Sequence, residues 1–162
     1  MVLKLFSHHI EAIGQYGEDT YPDECCGLLL GKISKGIKTV VEVRATENVW
    51  NAEAAQLFSV GEGERENQLS NYAISPQTML EVQKEVRDRN LQIIGIYHSH
   101  PNHSAMGSEC DHLYAWERYS YIIVSVVQGQ VEELRCWELD SEFNFQAEEI
   151  IIVNNLEKSK TK

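Results

Sequence analysis

The sequence predicts an α/β domain, a sheet flanked by helices, and three features lead there. Two segments carry apolar residues at helical spacing, at 7–17 and 75–90. Between and after them lie short runs rich in Val, Ile and Leu, bounded by turn residues, which suit strands. A chain of 162 residues with 43% apolar content is the size of one domain. That length buries roughly two thirds of the unfolded surface in a single core.

The elements follow in order. "SHHIEAIGQYG" (7–17) reads as a first helix, with Ser7 able to cap it, Ile10 and Ile13 at helical spacing, and Gly17 able to close it. "CCGLLLGK" (25–32) is a continuous apolar run that suits a buried strand. "SKG" (34–36) turns the chain into "IKTVVEV", where Val40, Val41 and Val43 favour a strand. The stretch 51–71, rich in Gly, Glu and Asn, reads as a long exposed loop or flap, with a disordered insertion as the alternative.

"SPQTMLEVQKEVRDRN" (75–90) is the clearest helix: Ser75 at the N-cap, Pro76 at the first helical position, and Met79, Val82 and Val86 along one face. "LQIIGIYHSH" (91–100) is a strand, and "HLYAWERY" (112–119) reads as helical. "YIIVSVV", a turn at Gln128–Gly129, "VEELRCWEL" and "FNFQAEEIIIV" (143–153) give three further strands. No internal repeat divides the chain. It is expected to form one domain over 1–154, with 155–162 as a flexible C-terminal tail.

Charge and composition narrow the function. The formal net charge is −11, and the terminal "LEKSKTK" is +2, so the rest of the chain carries −13. Phosphate contacts need Lys and Arg, so a nucleic-acid partner is not expected. The N-terminal "MVLKLFSHHIEAIG" has one lysine and no apolar stretch of signal-peptide length, and nothing approaches a membrane span. Cys25, Cys26, Cys110 and Cys136 show no C-x-x-C pair. Four reduced thiols in a cytoplasmic protein, with no membrane partner, are the expectation.

The chemistry concentrates in "YHSHPNHSAMGSECD" (97–111) and the residue after it: four of the six histidines (His98, His100, His103 and His112) fall within the fifteen positions 98–112. Residues i and i+2 of a strand share a face. His98 and His100 therefore present both imidazoles to one side and Ser99 faces the other, while Pro101 ends the strand. Two converging histidines begin a metal site but need a third ligand. Ser108 and Asp111 form S-x-x-D ahead of "HLYAW". On its own that is a helix capping box, and the same helix start would also aim Asp111 as a carboxylate ligand. The two readings are compatible.

These residues resemble a known family. "HSHP", six residues, Ser, two residues and Asp (98–111) is similar to the JAMM motif of the MPN-type zinc metallopeptidases. "YPDECCGLLLG" (21–31) supplies that family's upstream glutamate as Glu24, in the form of the small prokaryotic members. The resemblance covers most of residues 5–153. It implies a single MPN (JAMM) domain, an α/β fold with a mixed, mostly antiparallel β-sheet flanked by helices, similar to cytidine deaminases. It also implies one Zn²⁺ per chain held by His98, His100 and Asp111 with water as fourth ligand. Glu24 would be the general base that passes the proton to the leaving amine, and Ser108 the oxyanion donor. Iron or cobalt would suit the same ligands.

Blander readings stand beside these. Glu24 is otherwise a solvated residue at a strand start, with strand alternation sending Asp23 to the other face. His103 and His112 read as loop and helix-surface residues, and His8 and His9 as helix-surface residues. Cys110 is a softer metal donor than Asp111, but its neighbouring helical position turns it about 100° away. Cys25 and Cys26 read as core packing, as do Trp116, Tyr121 and Trp137.

Three functions follow. The first is a zinc peptidase or isopeptidase that cleaves an amide at the C-terminal Gly-Gly tail of a ubiquitin-like or sulfur-carrier protein. The second is a noncatalytic MPN scaffold, whose members usually lack a ligand that this chain has. The third, a nucleobase deaminase, needs H-x-E with P-C-x-x-C, and the chain has no P-C-x-x-C. The sequence is also compatible with a homo-oligomer.

Overall fold

The computed structural model describes residues 1–50, 72–107 and 116–155. The chain runs β1 (Val2–Phe6), α1 (Ser7–Thr20), β2 (Cys26–Ser34), β3 (Ile37–Thr46), α2 (Pro76–Asp88), β4 (Gln92–Pro101), β5 (Ser120–Val127), β6 (Gln130–Leu139), β7 (Phe145–Ala147) and β8 (Glu149–Val153). The strands form one eight-stranded sheet in the order β7-β6-β5-β4-β2-β3-β1-β8. Four pairings are antiparallel and three are parallel, the mixed α/β architecture expected from the sequence.

The two described helices cover opposite faces, because alternate residues of β2 and β4 are apolar on both sides. On one face α1 lays Ile13 against Leu3, Leu5, Leu29, Val40, Ile94, Tyr97, Ile122 and Val124. On the other, Val82 and Val86 of α2 pack on Leu28, Leu30 and Ile93. A half-exposed ion network pins α2 to β3: Arg44 donates to both carboxylate oxygens of Glu85, and Arg89 donates to Glu42 and Glu85.

Helix α1 starts and stops differently from the sequence reading. Phe6 is the N-cap, and the buried His9 accepts the Phe6 N–H on Nδ1 at 3.1 Å, so His9 is not a surface residue. The helix runs past Gly17 to Thr20. Gly17 instead lets the helix lie close on the sheet: a Cβ there would come within 3.1 Å of Val126 and 3.6 Å of the Ser99 Cβ. α2 begins as predicted, with Ser75 Oγ accepting the Thr78 N–H and Pro76 in the first turn.

Three other expectations change. β1 was not foreseen, because five residues offer only two buried alternations, Leu3 and Leu5. The stretch 143–153 is two strands, β7 and β8, which sit at opposite edges of the sheet. Residues 116–119, the described part of the segment read as helical, form a turn in which Arg118 has φ +72°. The loop 51–71 lies outside the described residues, as does the tail from 156 onward. Asn155, placed in that tail, is tied to α1: its N–H donates to Ser7 Oγ, and its side chain meets His8 Nδ1 at 2.8 Å.

Glu148 explains the break between β7 and β8. Its backbone N–H still donates to Cys136 of β6, while its carboxylate is buried with Lys38 of β3, whose Nζ lies 3.3 Å away. Ser120 Oγ donates to the other Glu148 oxygen at 2.6 Å and accepts from Lys38 Nζ at 2.9 Å. The chain then crosses to pair β8 with β1. Removing one partner of a buried pair strands the other charge. Lys38→Met is therefore expected to lower stability by about 3–5 kcal/mol, measured by urea denaturation. Lys38→Met combined with Glu148→Leu should recover most of that loss, and a double variant as unstable as the sum of its singles would contradict this reading.

Candidate metal centre

The site is built by the antiparallel pairing of β2 with β4. Cys26 lies opposite His98, and continuing that register places Glu24 opposite His100. The Ser99 N–H donates to the Cys25 carbonyl at 3.1 Å, but the Cys25 N–H turns to Ser99 Oγ at 2.8 Å. In such a ladder the pairs flanking a hydrogen-bonded pair are the narrow ones, in which facing side chains approach most closely. Glu24, Cys26, His98 and His100 thus share the α2 face, as the strand period predicts, and Ser99 is buried on the α1 face.

Glu24, His98 and His100 are all buried, and one ligand atom of each lies within 4.8 Å of the others. The imidazole Nε2 atoms of His98 and His100 are 3.0 Å apart. His100 Nδ1 lies 2.8 Å from the Ser104 carbonyl, which only accepts, so Nδ1 carries the proton and donates. A neutral His100 then offers its lone pair on Nε2, the tautomer a metal ligand needs. Tyr72 stacks on His98 with ring centroids 4.4 Å apart.

Glu24 supplies the carboxylate of this group, and the neighbouring thiols stay protonated at neutral pH. Burial pushes Cys25 up to about 11 and Cys26 up to about 12. Cys26 also points to Thr46 Oγ1 and the Glu47 carbonyl. Two imidazoles converging beside a buried carboxylate suit a divalent ion such as zinc. The group could hold a metal ion.

The chain leaving His100 is held along its length. The Asn102 N–H donates to the Val126 carbonyl at 2.7 Å, and Asn102 takes φ +60°, a conformation Asn tolerates. Ser125 Oγ donates to the His103 carbonyl at 2.5 Å. Ala105 donates to Glu133 Oε1 at 3.0 Å and accepts from Trp137 Nε1 at 2.9 Å. The Ala105 N–H holds the Glu133 carboxyl below its ordinary value.

The predicted residues divide accordingly. Glu24, His98 and His100 come together, whereas Ser108 and Asp111 lie outside the described residues, with Cys110 and His112. His103 is exposed, as expected of a loop residue. Tyr121 and Trp137 are buried as expected, but Trp116 is 67% exposed and stacks on Tyr119, so it is not core. Sequence reasoning missed the supports: Ser99 Oγ, Tyr72, and Asn48. The Asn48 Nδ2 donates to the Glu24 carbonyl at 3.1 Å, while its Oδ1 accepts from the Trp50 and Ala73 backbone N–H groups. Only Ser99 had a legible signal, being the residue between the two histidines.

The sequence profile of a family described as prokaryotic homologs of the JAB domain matches residues 6–140. No curated protein matches at a significant level. The fold is similar to a Desulfitobacterium hafniense protein solved in solution, with TM-score 0.75 and 22% identity over 99% of each chain. It is also similar to a Salinibacter ruber protein, with TM-score 0.66 and 27% identity over 93% of this chain and 91% of that one. A JAB1/MPN domain protein from Archaeoglobus fulgidus shares the fold at TM-score 0.51 and 16% identity, over 93% of this chain and 98% of that one.

Ser99→Ala removes the acceptor for a buried N–H beside Glu24. The variant is expected to lose about 1–3 kcal/mol in chemical denaturation of the metal-free protein. Unchanged stability would mean that the Cys25 N–H finds the strand's own carbonyl instead.

Proposed function

The chain belongs to the family of prokaryotic JAB-domain proteins, and from that membership we propose that it is a zinc-dependent peptidase or isopeptidase. The observation that carries the proposal is the buried convergence of Glu24 with His98 and His100 on one sheet face. The JAB/MPN family includes zinc isopeptidases, and the chain is a single domain of that type. Asp111, by its place in the motif, would be the third protein ligand and Ser108 the oxyanion donor.

The chemistry a divalent ion supplies there is Lewis acidity, which polarises a carbonyl oxygen and draws the pKa of water toward ~7. The chain's own residues do the rest. His98 and His100 hold the ion from one strand end, their spacing fixed by the β4 pleat. Glu24 takes the proton of the attacking water and returns it to the departing amine. Ser108 donates its hydroxyl to the oxygen on which charge develops. Burial of the group keeps competing bulk water from weakening these contacts.

The substrate we assign is an amide at the C-terminal Gly-Gly tail of a ubiquitin-like or sulfur-carrier protein. Two glycines in extended form pass where bulkier residues do not, and an extended tail binds by adding to a sheet edge. Among the described residues no helix is long and apolar enough to cross a membrane. The three described cysteines are free and buried, which fits a reducing cytoplasm.

Glu24→Gln is expected to lower release of a C-terminal extension from a Gly-Gly-ending carrier protein by ~100- to 10,000-fold, with zinc content per chain unchanged. Zinc bound without cleavage by the wild type would favour a noncatalytic scaffold. Full activity in the variant would remove Glu24 from the reaction.

A further inference from the structure

We propose that Glu133 and Trp137 of β6 are positioning residues for the metal group, gripping the Ala105 peptide so that the Ser104 carbonyl stays on His100 Nδ1. The inference rests on the reading that His98 and His100 hold a divalent ion beside Glu24.

His100 presents Nε2 to an ion only while Nδ1 keeps its proton, and the Ser104 carbonyl at 2.8 Å is the group that keeps it there. Ser104 itself is exposed, and residues 102–107 belong to no strand, so the carbonyl is placed by its flanks. On one side the His103 carbonyl is held by Ser125 Oγ. On the other the Ala105 peptide is held at both ends, its N–H by Glu133 Oε1 and its carbonyl by the indole N–H of Trp137. Indole nitrogen only donates and carboxylate only accepts, so neither grip can reverse.

Sheet register explains why these residues reach the loop. His100 pairs with Ser125, and Ser125 with Glu133, so the three stand in one row on one face. Two rows along, Ile96, Tyr121 and Trp137 align in the same way. The loop leaving His100 folds back over those rows and meets Ser125, Glu133 and Trp137 in turn. The grip is itself braced. Arg135 Nε donates to the other Glu133 oxygen at 3.1 Å, and Trp137 packs with the buried Ala105, Tyr121 and Ile123. Neither residue belongs to the metal group, so each acts through Ser104.

The test compares wild type, Glu133→Ala, Glu133→Gln and Trp137→Phe in two ways. Zn²⁺ affinity is measured by competition with a chromophoric chelator. The His100 tautomer is read by ¹⁵N NMR of the imidazoles in the metal-free protein. Glu133→Ala and Trp137→Phe are each expected to weaken Zn²⁺ binding ~10- to 100-fold and to shift His100 away from the Nδ1–H tautomer. Glu133→Gln keeps an amide oxygen for the Ala105 N–H and should stay near wild type in both. Glu133 is partly exposed, so Glu133→Ala remains readable if Trp137→Phe fails to fold. Affinity within twofold of wild type and an unchanged tautomer in Glu133→Ala would overturn the proposal. If the wild type binds no Zn²⁺, the metal reading fails, and the tautomer still decides whether the grip exists.

Discussion

The pairing register between β2 and β4 is the constraint on which the site depends. A one-residue slip in a strand pair sends every side chain to the opposite face. Such a slip would put Asp23 or Cys25 where Glu24 stands. Two features resist it. Both faces of β2 are buried, so Leu28 and Leu30 must meet α2 while Leu29 meets α1. The exchange between Cys25 and Ser99 then locks the open end, using a side-chain oxygen where a ladder would use a carbonyl. Ser99 serves the site from the face the site does not occupy.

Among the described residues, two buried polar clusters stand apart around that lock. One is the converging group at the C-terminal end of β4, supported by Asn48 behind Glu24 and by the loop 102–105 behind His100. The other is the Lys38–Ser120–Glu148 cluster, where the chain crosses from β7 to β8. Ser120 pairs with Gly95, near the start of β4, while the histidines stand at its far end. The second cluster lies where the chain leaves one sheet edge for the other, and the first gathers groups that could hold a metal ion. A site built on strand ends with hydrogen-bonded backing holds its geometry better than one carried by loops alone.

Much of this was legible in the sequence because it depends on local period. The H-x-H pair at strand spacing, Ser75 before Pro76, and the apolar run of β2 each state their structure within a few residues. The glutamate needed the family motif, since nothing local distinguishes Glu24 from a solvated carboxylate. What stayed hidden depends on contacts distant in the chain. His9 caps a helix that Ser7 seemed to own. Glu148 divides an apparently continuous strand because Lys38, 110 residues away, pairs with it. Glu133 looks like an ordinary solvated strand residue until register sets it beside Ser125. Trp116 was misread because its apolar character says nothing of the turn that exposes it.

The most direct measurement is anomalous diffraction at the zinc edge from crystals of the protein grown with one equivalent of Zn²⁺. A single peak per chain within bonding reach of His98 and His100, beside Glu24, is the predicted result. A peak elsewhere, or none with the chain well ordered around the two histidines, would contradict the assignment of this buried group as a metal centre.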